Sequence, residues 1–132
     1  MPAGVRRAGD THVSEKEDDI QRQKDKELQM LAARAADIEI EPCTCSDPDW
    51  PFRVKGGIST RGHWNPLISD GDAFKIAAKL KMEVRFLNRA AYAEPLDGCD
   101  GQIWEHNDDV RLAARRAICR AAALMAPPLN PA

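Results

Sequence analysis

Four cysteines and three histidines are the residues of this 132-residue chain best suited to metal or nucleophile chemistry. Cys43 and Cys45, with His63 and the more distant Cys99 and His106, offer the sulfur and imidazole ligands that tetrahedral zinc takes. Paired cysteines of structural zinc sites are separated by about two to four residues. Here only Thr44 intervenes, and no second close pair exists. Free thiols are therefore the simpler expectation. No cofactor is expected, and zinc on Cys43, Cys45 and His63 is the one metal reading left open.

A cysteine nucleophile needs a base to make thiolate, but no family-type signature surrounds any of these cysteines. Asp70-Gly71-Asp72 resembles a Mg²⁺-binding carboxylate pair, yet a helix cap and a favourable helix dipole explain both acids. Gly56-Gly57 lacks the lysine and the strand-to-helix setting of a phosphate-binding loop. No catalytic residue emerges, and a non-enzyme is expected.

A binding surface is the stronger candidate. Arg53, Lys55, Arg61, His63 and Trp64 fall in one loop-rich segment, followed by Asn65. Guanidinium groups suit bidentate phosphate recognition, and Trp64 or Trp50 can stack on a base. In the last helix, Arg111 and Arg115 are four apart, as are Arg116 and Arg120, giving two basic rows. The candidate ligand-binding set is Arg53, Lys55, Arg61, His63, Trp64, Asn65, Arg111 and Arg115. The structural alternatives are a core anchor for Trp64 and, for the helix arginines, salt bridges to Asp108 or Glu105 on a solvated face.

The elements that must position these residues are punctuated clearly in places. Residues 1–13 lack periodicity and read as a flexible tail. Ser14 and Glu17 fit a capping box. They open a helix whose first part, 14–26, is a polar extension, while its packed part runs over about 25–36. Ile38 and Ile40 alternate with Glu39 and Glu41, as in a short strand. Residues 42–53 read as a loop with three prolines, and 55–61 as a hairpin turn or flap. Trp64-Asn65-Pro66-Leu67 is extended, because proline pushes its predecessor out of the helical region. Ser69 or Asp70 then caps a helix with a buried stripe of Ala73, Ile76, Ala77 and Leu80, and Phe74 beside it. A strand starts at Val84, residues 90–100 form a turn, and 102–106 return as a strand. Asn107 or Asp108 caps a final helix to about Met125, ended by Pro127-Pro128. Residues 14–126 thus make one α+β domain. It is a small antiparallel sheet packed with two to three helices, followed by a tail at 127–132.

Three stretches carry a resemblance to a family. They are Leu31-Ala32-Ala33-Arg34-Ala35-Ala36-Asp37-Ile38, then Trp64 to Ala73 continuing through Ala77, Leu80, Met82 and Val84, and Ala114-Arg115-Arg116-Ala117-Ile118-Cys119-Arg120-Ala121-Ala122. In this order they resemble uncharacterised phage and prophage proteins of the phage α-β-α sandwich type, over roughly residues 25–125. The central stretch is the specific one. The polar helical extension before Asp25 departs from the pattern, and the Cys43–Cys45 loop falls where the pattern varies. The resemblance implies a phage origin and an α+β sandwich. It brings no activity and no functional residues.

Bulk properties set the remaining bounds. Hydrophobic residues make up 43%, charged residues 30% and aromatics only 5%, so the core must rest on aliphatic residues and alanine. A net charge of −2 argues against general DNA binding. Along the chain the charge is uneven: residues 15–49 hold 5 basic and 11 acidic residues, and 53–91 hold 8 basic and 3 acidic. No apolar run suits a membrane span or a signal peptide, so a cytoplasmic protein with reduced thiols is expected. The resulting expectation is a phage accessory protein that antagonises host defence without catalysis. It would act by sequestering a small nucleotide-type anion, as a homo-oligomer. The alternative is an inhibitor that docks on a host defence protein complex through its acidic, helical surface, and the third class is a zinc-stabilised or hydrolytic protein.

Overall fold

The computed structural model describes residues 3–55, 62–95 and 101–127, with side chains from residue 16. Over these residues the chain forms three helices and two three-stranded antiparallel sheets, an α+β fold as the sequence predicts. Helix α1 (Ala3–Ala35) starts earlier than expected, so Ser14 lies inside it rather than at its cap. Once a turn is nucleated, each added residue costs little, and the Glu-, Lys- and Gln-rich stretch after Ser14 extends backwards. Residues 16–24 are exposed; Gln29, Ala32, Ala33 and Ala36 are buried. The helix ends in a Schellman turn. Asp37 takes a left-handed φ of 57°, and the amide of Ile38 donates to Ala33 O at 2.8 Å.

The first sheet holds β1 (Ile40–Pro42), β2 (Phe52–Val54) and β3 (His63–Trp64), with β2 central and Phe52 opposite Trp64. Only β1 was expected as a strand. Phe52–Val54 lies at the end of the proline-rich loop, where the prolines mask its short apolar pattern.

The Trp64–Asp72 stretch folds as its residue types require. Trp64, Pro66 and Leu67 enter the core. Asn65 Oδ1 accepts the Leu67 amide at 2.8 Å, and its Nδ2 donates to Asp49 O at 2.8 Å. Ser69 caps α2 (Asp70–Lys79), accepting the Asp72 amide, while Asp72 Oδ2 accepts the Asn65 amide at 2.9 Å. Ala73, Ile76 and Ala77 are buried as the stripe predicts, but Phe74 is 71% exposed.

The second sheet joins β4 (Glu83–Leu87), β5 (Ala90–Glu94) and β6 (Ile103–His106), with β5 central. The turn expected at 90–100 is thus a strand over its first half. Alanine has low strand propensity, but β5 is flanked by two strands, and Ala91 and Ala93 are buried with residues of the last helix, where small side chains fit. That helix is α3 (Val110–Met125), capped by Asp109, two residues after Asn107 and one after Asp108, the caps expected from the sequence. Its alanine-rich face lies on β5 and β6, while α1 and α2 pack against its other sides. Asp25 pairs with Arg116 at 3.1 Å and ties α1 to α3. No helix among the described residues is long and apolar enough to cross a membrane.

Candidate functional site

The eight proposed ligand-binding residues do not converge on one surface. Arg53 and His63 are paired across β2 and β3. The Arg53 guanidinium lies over Gly62, where an added Cβ would sit 3.0 Å from Nη2, and its Nε is 3.6 Å from Glu41. Lys55, just past β2, is exposed, and its amide donates to Glu39 O. Arg61 lies outside the described residues. Trp64 is only 2% exposed and sits in the main core, so it is an anchor and offers no stacking face. Asn65 is buried, and its side chain is used within the turn.

Arg111 and Arg115 belong to a different place. They line a cleft of about 720 Å³ between α2, β4 and α3, within the size range of small-molecule sites. Ala77, Met82, Val84, Ala114 and Ile118 form an apolar floor. Phe74 and Phe86 form its walls and stand 71% and 56% exposed. Phe86 reaches the cleft because it shares the inward face of β4 with Val84, but at the strand's outer end. The rim carries Lys81, Arg111, Arg115 and Asp70. Asp70 accepts from Arg115 and lies 3.5 Å from Arg111. Arg115 also donates through Nε to Leu67 O at 2.8 Å, which fixes it between α3 and the Trp64–Leu67 turn. Three cations against one carboxylate leave the rim net positive.

Arg116 and Arg120, the second basic row, are structural. Arg116 pairs with Asp25, and Arg120 pairs with Glu105 and donates to Trp104 O. Pairing of Arg120 with Glu105 is the structural alternative read from the sequence. Phe74, Phe86 and Lys81 were not among the site residues expected from the sequence. An aromatic residue one position off the buried stripe of a short helix was the available signal.

A second cluster lies at the tip of the first sheet. Sγ of Cys43, Sγ of Cys45 and a ring nitrogen of His63 all fall within 4.8 Å of one another. The two sulfurs are 2.9 Å apart, and the Cys45 amide donates to Cys43 Sγ. The Cys43 thiol is held below its ordinary value by hydrogen bonds from the Cys45 side chain and amide, with Arg53 adding attraction. Cys45 is pushed up, chiefly by its hydrogen bond to Cys43. Trp50 stacks on His63 with ring centroids 5.3 Å apart and planes 15° from parallel. The loop is braced at its base, where the Cys43 amide donates to Pro51 O at 2.9 Å. Cys119 is a buried thiol in the core, and Cys99 lies outside the described residues.

No protein-family model, curated protein or solved structure matches the chain.

Proposed function

We propose that the protein is a non-enzymatic binder of a small amphipathic anion, held in the cleft between α2, β4 and α3. The carrying observation is the pairing of two exposed phenylalanines with a net cationic rim over an apolar floor. Ordinary surfaces rarely keep such residues together without a use. A planar, apolar body would lie between Phe74 and Phe86, and its negative group would meet Arg111 and Lys81. Nucleotides fit this description, as aromatic rings carry the stacking and phosphates the charge. The resemblance to phage accessory proteins supports a biological form of the reading. A host-defence nucleotide signal is sequestered by occupancy, in the host cytoplasm, with no bond made or broken.

A thermal-shift screen against cyclic and linear nucleotides tests this. Ligand at a hundredfold excess over its Kd adds about 2.7 kcal/mol, a rise of several degrees in Tm. No rise with any nucleotide would remove the nucleotide reading.

A second reading has its own observation. Residues 16–24 of α1 are exposed, and Ile20 is 56% exposed on an otherwise polar stretch. This half of the helix offers a charged surface of mixed sign, with three acidic and three basic residues over 16–24, for docking on a host defence protein or on a second copy of the chain.

A further inference from the structure

The Cys43–Cys45 loop carries more than the cleft reading uses. We propose that Cys43, Cys45 and His63 form a binding site for one Zn²⁺ ion, with a fourth position left to water or an outside ligand.

Four observations carry the site. First, the donors are right. Two thiols and an imidazole are the ligand types zinc selects, and three protein ligands with one open position is an established zinc arrangement. Second, they come together from distant parts of the chain. Cys43 and Cys45 follow β1, His63 opens β3, and all three donor atoms lie within 4.8 Å of one another. Modest motion would bring them onto one ion.

Third, the cluster is organised before any ion arrives. Pro42, Pro48 and Pro51 restrict the loop. The Trp50 amide donates to Asp47 O at 3.1 Å, and the Asp49 amide to Asp47 Oδ1 at 3.0 Å. Trp50 fixes the plane of the His63 ring by stacking. Rigid support of this kind is what metal ligands need from their surroundings.

Fourth, Cys43 and Cys45 open onto a polar cleft of about 640 Å³ shared with α1. Gln29 lines the same cleft. It is 2% exposed, and its Oε1 is buried with no hydrogen-bond partner among the described residues.

The test uses the full chain, reduced and washed with chelator, titrated with Zn²⁺ against a chromophoric chelator and with Co²⁺ as a spectroscopic substitute. The expected result is one Zn²⁺ per chain, with thiolate-to-cobalt charge transfer and the d–d bands of tetrahedral cobalt. Zn²⁺ should also protect Cys43 and Cys45 from alkylation, located by peptide mass spectrometry. Cys43→Ser, Cys45→Ser and His63→Gln should each weaken binding by about tenfold or more. Absence of the charge-transfer bands, or variants that bind as tightly as the wild type, would overturn the site. Should a variant fail to fold, alkylation of the wild type decides: thiols modified equally with and without Zn²⁺ contradict the proposal.

Discussion

Asn65 and Trp64 show how residue types that suit a binding site can be spent on structure. Both sit beside basic residues in the sequence, and Trp64 has the ring a base could stack on. Yet Trp64 faces Phe52 across β2 and β3, and Asn65 holds three segments together through its side chain and amide. Trp64→Ala should therefore cost about 3–5 kcal/mol of stability, measured by urea unfolding. A variant as stable as wild type would mean the ring is not a core anchor. Cys119 makes a second residue-scale prediction. Burial pushes its thiol up to about 12 from an ordinary 9.0. The folded chain thus keeps a proton that the unfolded chain loses in this window. This contribution is fully present below pH 9 and falls as the pH rises towards 12, by at most about 1.4 kcal/mol per unit. Tyr92, also raised by burial, acts in the same direction. Unfolding measured at several alkaline pH values should show the slope shrink in Cys119→Ala.

At the scale of elements, the left-handed turns are where sequence and backbone disagree. Arg89 adopts φ 61° in the turn between β4 and β5, a region that favours glycine. Its ion pair with Asp108 is exposed and contributes little. Arg89→Gly should raise stability by about 1 kcal/mol in urea unfolding, because the side-chain clash is removed. A loss of stability would show that the turn depends on arginine. These turns also mark how far the sequence could be read. Helix α2 was legible because Ser69, Asp72 and the Ala73, Ile76, Ala77 stripe agree on one structure. Strand β4 was legible through its alternating residues. Strand β5 was not, since Ala90-Ala91-Tyr92-Ala93 has no period and low strand propensity; burial alone selects it. Strand β2 was hidden by the prolines before it. The start of α1 was placed at a good capping box that the helix passes through.

For the whole molecule, the candidate site was only half legible. The sequence supplied Arg111 and Arg115, but not the partners that make them part of a cleft. Phe74 and Phe86 lie on separate elements, and their meeting around Ala77, Met82 and Ala114 is a product of tertiary packing. Charge along the chain misled in the same way. The acidic and basic stretches partly pair with each other or with α3, as Glu41–Arg53 and Asp25–Arg116 show. Net charge along the sequence is therefore a poor guide to where cationic side chains gather in the folded chain. Calorimetric titration of cyclic and linear nucleotides into three proteins is the most direct test: the wild type, a Phe86→Ser, Arg111→Glu double variant, and Lys55→Glu. All three substituted side chains are largely exposed, so the fold should survive in each. The predicted result is binding heat in the wild type and in Lys55→Glu, and none in the double variant. No heat from any nucleotide, or binding that survives the double substitution and is lost in Lys55→Glu, would contradict a ligand site between α2, β4 and α3.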